Sequence, residues 1–248
     1  MGSSKVRETV LNGQRGDQAR LARKAGLLYL LVGVFGGFAV GYVTPSVYVA
    51  GDAAATAANV LGSAGLVRAG ILANLFQATV FVFLAMTLYT LLKHVSDNVA
   101  RAMVILVAIA TAMMCANEIF QFAALLVAAD ASYTAAFGAA GGQALVLLLM
   151  TMHHYGFLIA QIFFGLWLIP LGYLAIKSDL FPKALGVALI AGGVAYLIDL
   201  VAAFLAPELS KQIHGVLAIP PAIAEIWTLA YLLVRGVKTP RTEHLHVS

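Results

Sequence analysis

The sequence predicts an all-α fold, a polytopic transmembrane bundle of six helices, and three observations carry that reading. Six apolar stretches are each at least 18 residues long, the connections between them are short, and Lys and Arg gather on one side of the path they define. A helix rises about 1.5 Å per residue, so about 20 apolar residues cross a hydrocarbon core of about 30 Å. With 62% hydrophobic residues and a mean hydropathy of +0.93, the 248 residues carry more apolar surface than a water-soluble domain can hide.

Residues 1–24 read as a polar, mobile tail, residues 25–238 as one transmembrane domain, and residues 239–248 as a second polar tail. The first span runs from Gly26 to Val43. Its polar leader and its apolar run are both too long for a cleaved signal peptide, so it is expected to be retained. Gly33, Gly37 and Gly41 recur every fourth residue, a spacing that forms one stripe where another helix backbone can approach. That partner is another helix of the bundle or, in a homodimer, a second copy.

After this span, Asp52 is placed to cap a short alanine-rich helix that ends at Gly62 or Gly65 and lies across the outer mouth of the bundle. The second span is Leu66 to Leu92, and Lys93 to Asn98 is too short for an internal domain. The third, Val99 to Ala128, contains the single cysteine, Cys115, read as a packed core residue and unable to form an intramolecular disulfide. A loop free of Lys and Arg, Ala129 to Gly142, leads to the fourth span, Ala144 to Ile176. There Pro170 predicts a kink, because proline removes a helical donor. The fifth span is Ala184 to Ala206 and the sixth Gly215 to Val234, where Pro220-Pro221 invites a second kink. Gln77, Tyr89 and Lys93 share their spacing with Gln161, Tyr173 and Lys177, a faint parallel repeat that ordinary enrichment at helix ends explains equally well.

Of the 15 Lys and Arg residues, only Arg68 and Lys211 fall opposite the rest. By the positive-inside rule both termini are cytoplasmic and the protein sits in the cell membrane. The net charge of +4 resides at helix ends without interleaved aromatics, which argues against nucleic acid as a partner and for membrane lipids.

Basic residues at the cytoplasmic ends act as a depth ruler. Gln77, Glu118, Gln161 and Asp199 lie 16 or 17 residues from Lys93, Arg101, Lys177 and Lys183 respectively, which places all four roughly 24 to 26 Å from that edge. Asn74, Asn117 and Gln121 join on neighbouring turns, Glu225 lies nearer the bilayer centre, and His153 and His154 lie further out. Ionisable groups within a membrane are costly and usually face a partner or a hydrated cavity. The set Asn74, Gln77, Asn117, Glu118, Gln121, His153, His154, Gln161, Asp199 and Glu225 therefore marks a ligand-binding cavity open to the outside, or else polar contacts that bind helices together. His153, His154, Glu118 and Glu225 are also acceptable ligands for a divalent metal, whose bound water a carboxylate would activate. Adjacent histidines point about 100° apart on a helix, so one of the two faces inward. No Ser-His-Asp order, phosphate-binding glycine loop or paired-cysteine motif is present. Gly36-Gly37 and Gly192-Gly193 read as packing glycines.

The segment Gly26 through Phe38, the loop Gly51 through Ala57, Tyr155-Gly156 through Tyr173, and Ala224-Glu225-Ile226-Trp227 with Arg235-Gly236-Val237-Lys238 resemble the bacterial domain-of-unknown-function family 4386. The resemblance runs from about Ala22 to Lys238. It implies a prokaryotic multi-pass membrane protein in which His153 and Glu225 look like recurring polar positions, and it implies no catalytic residues. The expected function is binding or transport of a small molecule, ion or lipid. An intramembrane metal-assisted hydrolase of a lipidic substrate, and a non-catalytic scaffold or sensor, are the alternatives.

Overall fold

The computed structural model describes residues 2–238, with side chains from residue 16 onward except residue 134. The expected C-terminal tail, 239–248, lies outside the described residues. Among them there are helices and no strands: α1 (Gly2–Gly36), a π-helical segment (Gly37–Val43), α2 (Thr44–Val47), α3 (Ala53–Gly62), α4 (Ala64–Leu92), α5 (Asp97–Ala129), α6 (Ala131–Lys177), α7 (Lys183–Leu205), α8 (Pro207–Leu217) and α9 (Ile219–Val234). Six helical stretches are long and apolar enough to cross a membrane: Gly16–Val47, Ala64–Leu92, Asp97–Ala129, Ala135–Lys177, Lys183–Leu205 and Pro207–Val234. The protein is an all-α, multi-pass membrane protein.

The chain divides into two compact units. The first comprises Met1–Leu27, Leu84–Val104 and Gly165–Ser248, and the second Leu28–Phe83 and Ile105–Phe164. In the first unit, α7 packs against the end of α6 through two glycine pairs seven residues apart. A Cβ on Gly193 would lie 2.6 Å from the Gly165 carbonyl oxygen, and one on Gly186 would lie 2.6 Å from that of Gly172. Small residues at these crossings let two backbones meet directly, which is how membrane helices gain packing where lipid supplies no hydrophobic drive. Gly192 meets Pro221 of α9 in the same way. Pro220 and Pro221 occupy the first turn of α9, where the missing amide hydrogen costs little, so the expected kink becomes a break between α8 and α9 at Ala218.

In the second unit, α3 begins as expected, with Asp52 Oδ1 accepting from the Ala55 amide at 2.9 Å, and ends at Gly62. Its Thr56 hydroxyl donates to the Val49 carbonyl at 3.0 Å, and Val60 enters a core with Val47, Val67, Leu125, Val146 and Met150. Residues 131–142, expected as a loop, are helical and belong to α6. The backbone of α6 leaves helical angles at Gly138 (φ 72°, ψ 165°), whereas Pro170 is held inside the helix.

Three expectations need correcting. Residues 2–24, expected as a polar, mobile tail, are helical and belong to α1, with Ala22 buried. The stripe of Gly33, Gly37 and Gly41 is exposed and a Cβ at any of them would meet nothing within 4 Å, so it makes no close contact among the described residues. Cys115 is exposed on α5, beside an apolar groove of about 420 Å³ lined by Ala78, Val82, Phe83, Ala108 and Ala112. Lipid satisfies an apolar side chain as well as a protein core does, so composition alone cannot separate the two environments.

Candidate functional site

The second unit gathers side chains from α4, α5 and α6 around one carboxyl group. Asn74 on α4 donates through Nδ2 to Glu118 Oε1 on α5 in a short hydrogen bond, and His153 Nε2 on α6 lies 3.3 Å from the same oxygen. Asn117, adjacent to Glu118, donates through Nδ2 to the His153 carbonyl at 2.8 Å. Asn74, Asn117, Glu118, Gln121, His153 and Gln161 are between 3% and 6% exposed. All lie in helix interiors, where the backbone satisfies itself and the side chains must find partners elsewhere.

Glycines make room for the amides. A Cβ on Gly156 would overlap Asn117 Oδ1, and one on Gly36 would lie 2.6 Å from Gln77 Nε2. Six buried atoms nonetheless have no hydrogen-bond partner: Asn74 Oδ1, Gln77 Oε1, Asn117 Oδ1, Glu118 Oε2, Gln121 Nε2 and His153 Nδ1. Buried polar atoms are nearly always paired in native proteins, since an unpaired one forfeits about 1 to 3 kcal/mol of desolvation. All six belong to residues of the second unit.

The other polar residues go elsewhere. His154 is exposed, its ring stacked on Tyr48 at 5.7 Å and edge-on to Tyr155. Of the two adjacent histidines, His153 is the buried one. Asp199 and Glu225 belong to the first unit. Asp199, buried on α7, lies 2.9 Å from His214 Nδ1 of α8. Glu225 on α9 accepts from the Tyr196 hydroxyl at 3.1 Å. His214 and Tyr196 were missed in the sequence. Tyr196 precedes Asp199 by one helical turn and so shares its face, a signal that was there to read.

Over residues 24–236, nearly its whole length, the chain matches the model of a family described as "Domain of unknown function (DUF4386)". The chain belongs to the DUF4386 family. No curated protein and no solved structure matches it.

Within this DUF4386 chain the donor set falls short of a catalytic zinc site. Glu118 and His153 provide two ligands, and no group of three or more His, Cys, Asp or Glu side chains among the described residues is placed to hold an ion. A catalytic zinc site takes three protein ligands. The geometry instead offers one buried carboxyl group that accepts from the Asn74 amide and faces the His153 imidazole.

Proposed function

We propose that this protein resides in the cell membrane with both termini in the cytoplasm, and that the Glu118 cluster binds a small polar or ionic solute during its transport. One observation carries the reading: three membrane helices direct polar side chains at a single buried carboxyl group while six polar atoms around them stay unpaired. If those groups served only to hold helices together, their donors and acceptors would be consumed by one another. A solute with matching donors and acceptors removes the cost of the unpaired atoms, so affinity arises from the protein's own unsatisfied state.

The test is a panel of small solutes offered to the purified protein in detergent, read by thermal midpoint, since a ligand that binds only the folded state raises stability with concentration. At least one of methylammonium, sodium, potassium, acetamide and glycerol should stabilise the wild type and lose its effect in Glu118→Gln. If Glu118→Gln and Glu225→Gln together leave every response and the reconstituted function unchanged, the protein is a scaffold. For orientation, on a Cys115→Ala background, a cysteine at exposed Ala58 should react with an impermeant thiol reagent in intact cells while one at exposed Asn98 is protected. The opposite labelling pattern reverses the topology.

A further inference from the structure

We propose that the first unit binds anionic phospholipid headgroups on the exposed end formed by the start of α1, the turn between α6 and α7, and the end of α9; this stands apart from the Glu118 cluster.

Packing holds these three segments together. The Lys238 amide donates to the Leu180 carbonyl at 2.8 Å, and the rings of Phe181 and Tyr231 meet at 5.7 Å, which fastens the turn to the end of α9. A Cβ on Gly236 would lie 3.5 Å from the Ala19 carbonyl oxygen, and one on Gly26 would lie 2.9 Å from the Leu233 amide nitrogen, so the start of α1 runs against the same end of α9. Ala22 and Ala25 are buried on that stretch, while Arg20, Arg23 and Lys24 are exposed. Lys177 and Lys183 are exposed on either side of the turn, and Arg235 and Lys238 are exposed just beyond α9. Against these seven cations, residues 16–26, 177–183 and 231–238 carry two acidic residues, Asp17 and Asp179. Among the described residues none of the seven is in an ion pair.

What meets this charge follows from where it sits. Arg23 and Lys24 directly precede the apolar run of the first span, Lys177 ends the fourth, Lys183 begins the fifth, and Arg235 follows the last residue of the sixth. The ends of membrane spans lie at headgroup level, so lipid phosphates are the anions within reach. A zwitterionic headgroup cancels its phosphate with its own amine and leaves the surplus of cations unanswered. An anionic headgroup such as that of phosphatidylglycerol supplies net charge of the right sign. Sorting cations to one side of a membrane needs no folded leader. Here residues 16–24 are helix packed on the end of α9, so three cations are held near four others before any lipid arrives, and little ordering is left to lose on binding.

The experiment offers the full chain, in an uncharged detergent, phosphatidylglycerol or phosphatidylcholine with the same acyl chains, and reads binding by native mass spectrometry and thermal midpoint. Phosphatidylglycerol should bind at least about tenfold more tightly, and the preference should shrink as salt is raised. Arg20→Gln, Arg23→Gln and Lys24→Gln combined should remove most of it. Arg68→Gln, exposed in the second unit, should leave it unchanged. Equal binding of the two lipids overturns the proposal, and so does an equal loss with Arg68→Gln. Stabilisation by inorganic phosphate or by a short RNA that matches that by phosphatidylglycerol overturns the lipid assignment. Should the triple variant fail to fold, Lys177→Gln with Lys183→Gln carries the same expectation. A preference for phosphatidylglycerol that survives these substitutions overturns the site as well.

Discussion

The two units use glycine differently. In the first, Gly165, Gly172, Gly186 and Gly193 bring one helix backbone against another, and the atoms nearest their missing Cβ positions include carbonyl oxygens. In the second, Gly36 and Gly156 face the amide side chains of Gln77 and Asn117. The same residue type closes a helix crossing in one place and vacates room for polar groups in the other. Their carboxylates differ accordingly. Asp199 pairs with His214, whose side chain is 60% exposed, so the pair has access to its surroundings. Glu118 and His153 are both nearly sealed, and their spare polar atoms are sealed with them. A buried group that remains unpaired is the better marker of a binding site, because an open one can be satisfied by water.

The largest expected effect tests the backbone crossing. Gly186→Ala drives a methyl group into the Gly172 carbonyl and the Ile176 side chain, neither of which can swing away freely. Its stability in detergent should fall by about 3 kcal/mol, the upper end for overpacking; an unchanged melting curve would mean that the helices separate easily there. Next comes Gly156→Ala, expected to lose about 1 to 2 kcal/mol because Asn117 must move and release the His153 carbonyl. Combined with Asn117→Ala the loss should be smaller than the sum of the two single losses, and additivity in that double-mutant cycle would separate the two residues.

Asp199→Asn should change stability by no more than about 1 kcal/mol, as for other partly exposed ion pairs, and leave solute binding intact. A loss of binding comparable to that of Glu118→Gln would place the solute with Asp199 instead. The smallest effect is predicted for Gly37→Ala, which meets no neighbour. It should shift stability by no more than about 0.5 kcal/mol, in line with surface substitutions. A clear drop in melting temperature would reveal a contact made by that face after all.

Much of this was legible in the residues. The six spans followed from apolar length, and the Asp52 cap with its helix from one acidic residue before an alanine run. Counting from the basic ends set Glu118 in a polar layer with Asn74 on a neighbouring turn, and the structure joins the two by a hydrogen bond. The same ruler set His153 further out, although its ring reaches Glu118. It assumes straight helices normal to the membrane, and α6, at 47 residues, is far longer than a perpendicular crossing requires. The glycine stripe on α1 meets no helix among the described residues, because a four-residue spacing marks a face without saying what covers it. His214 lies 15 residues from Asp199 in the sequence, and only the folding of α8 brings the two together.

The most direct measurement is an experimental density map of the protein exchanged into the most stabilising solute of the panel, at a resolution that shows ordered non-protein atoms beside Glu118. The account predicts density within hydrogen-bonding distance of Glu118 Oε2 and Asn74 Oδ1, and its absence from Glu118→Gln prepared in the same way. A map in which both oxygens are bonded to protein donors, with no density between α4, α5 and α6, would contradict it.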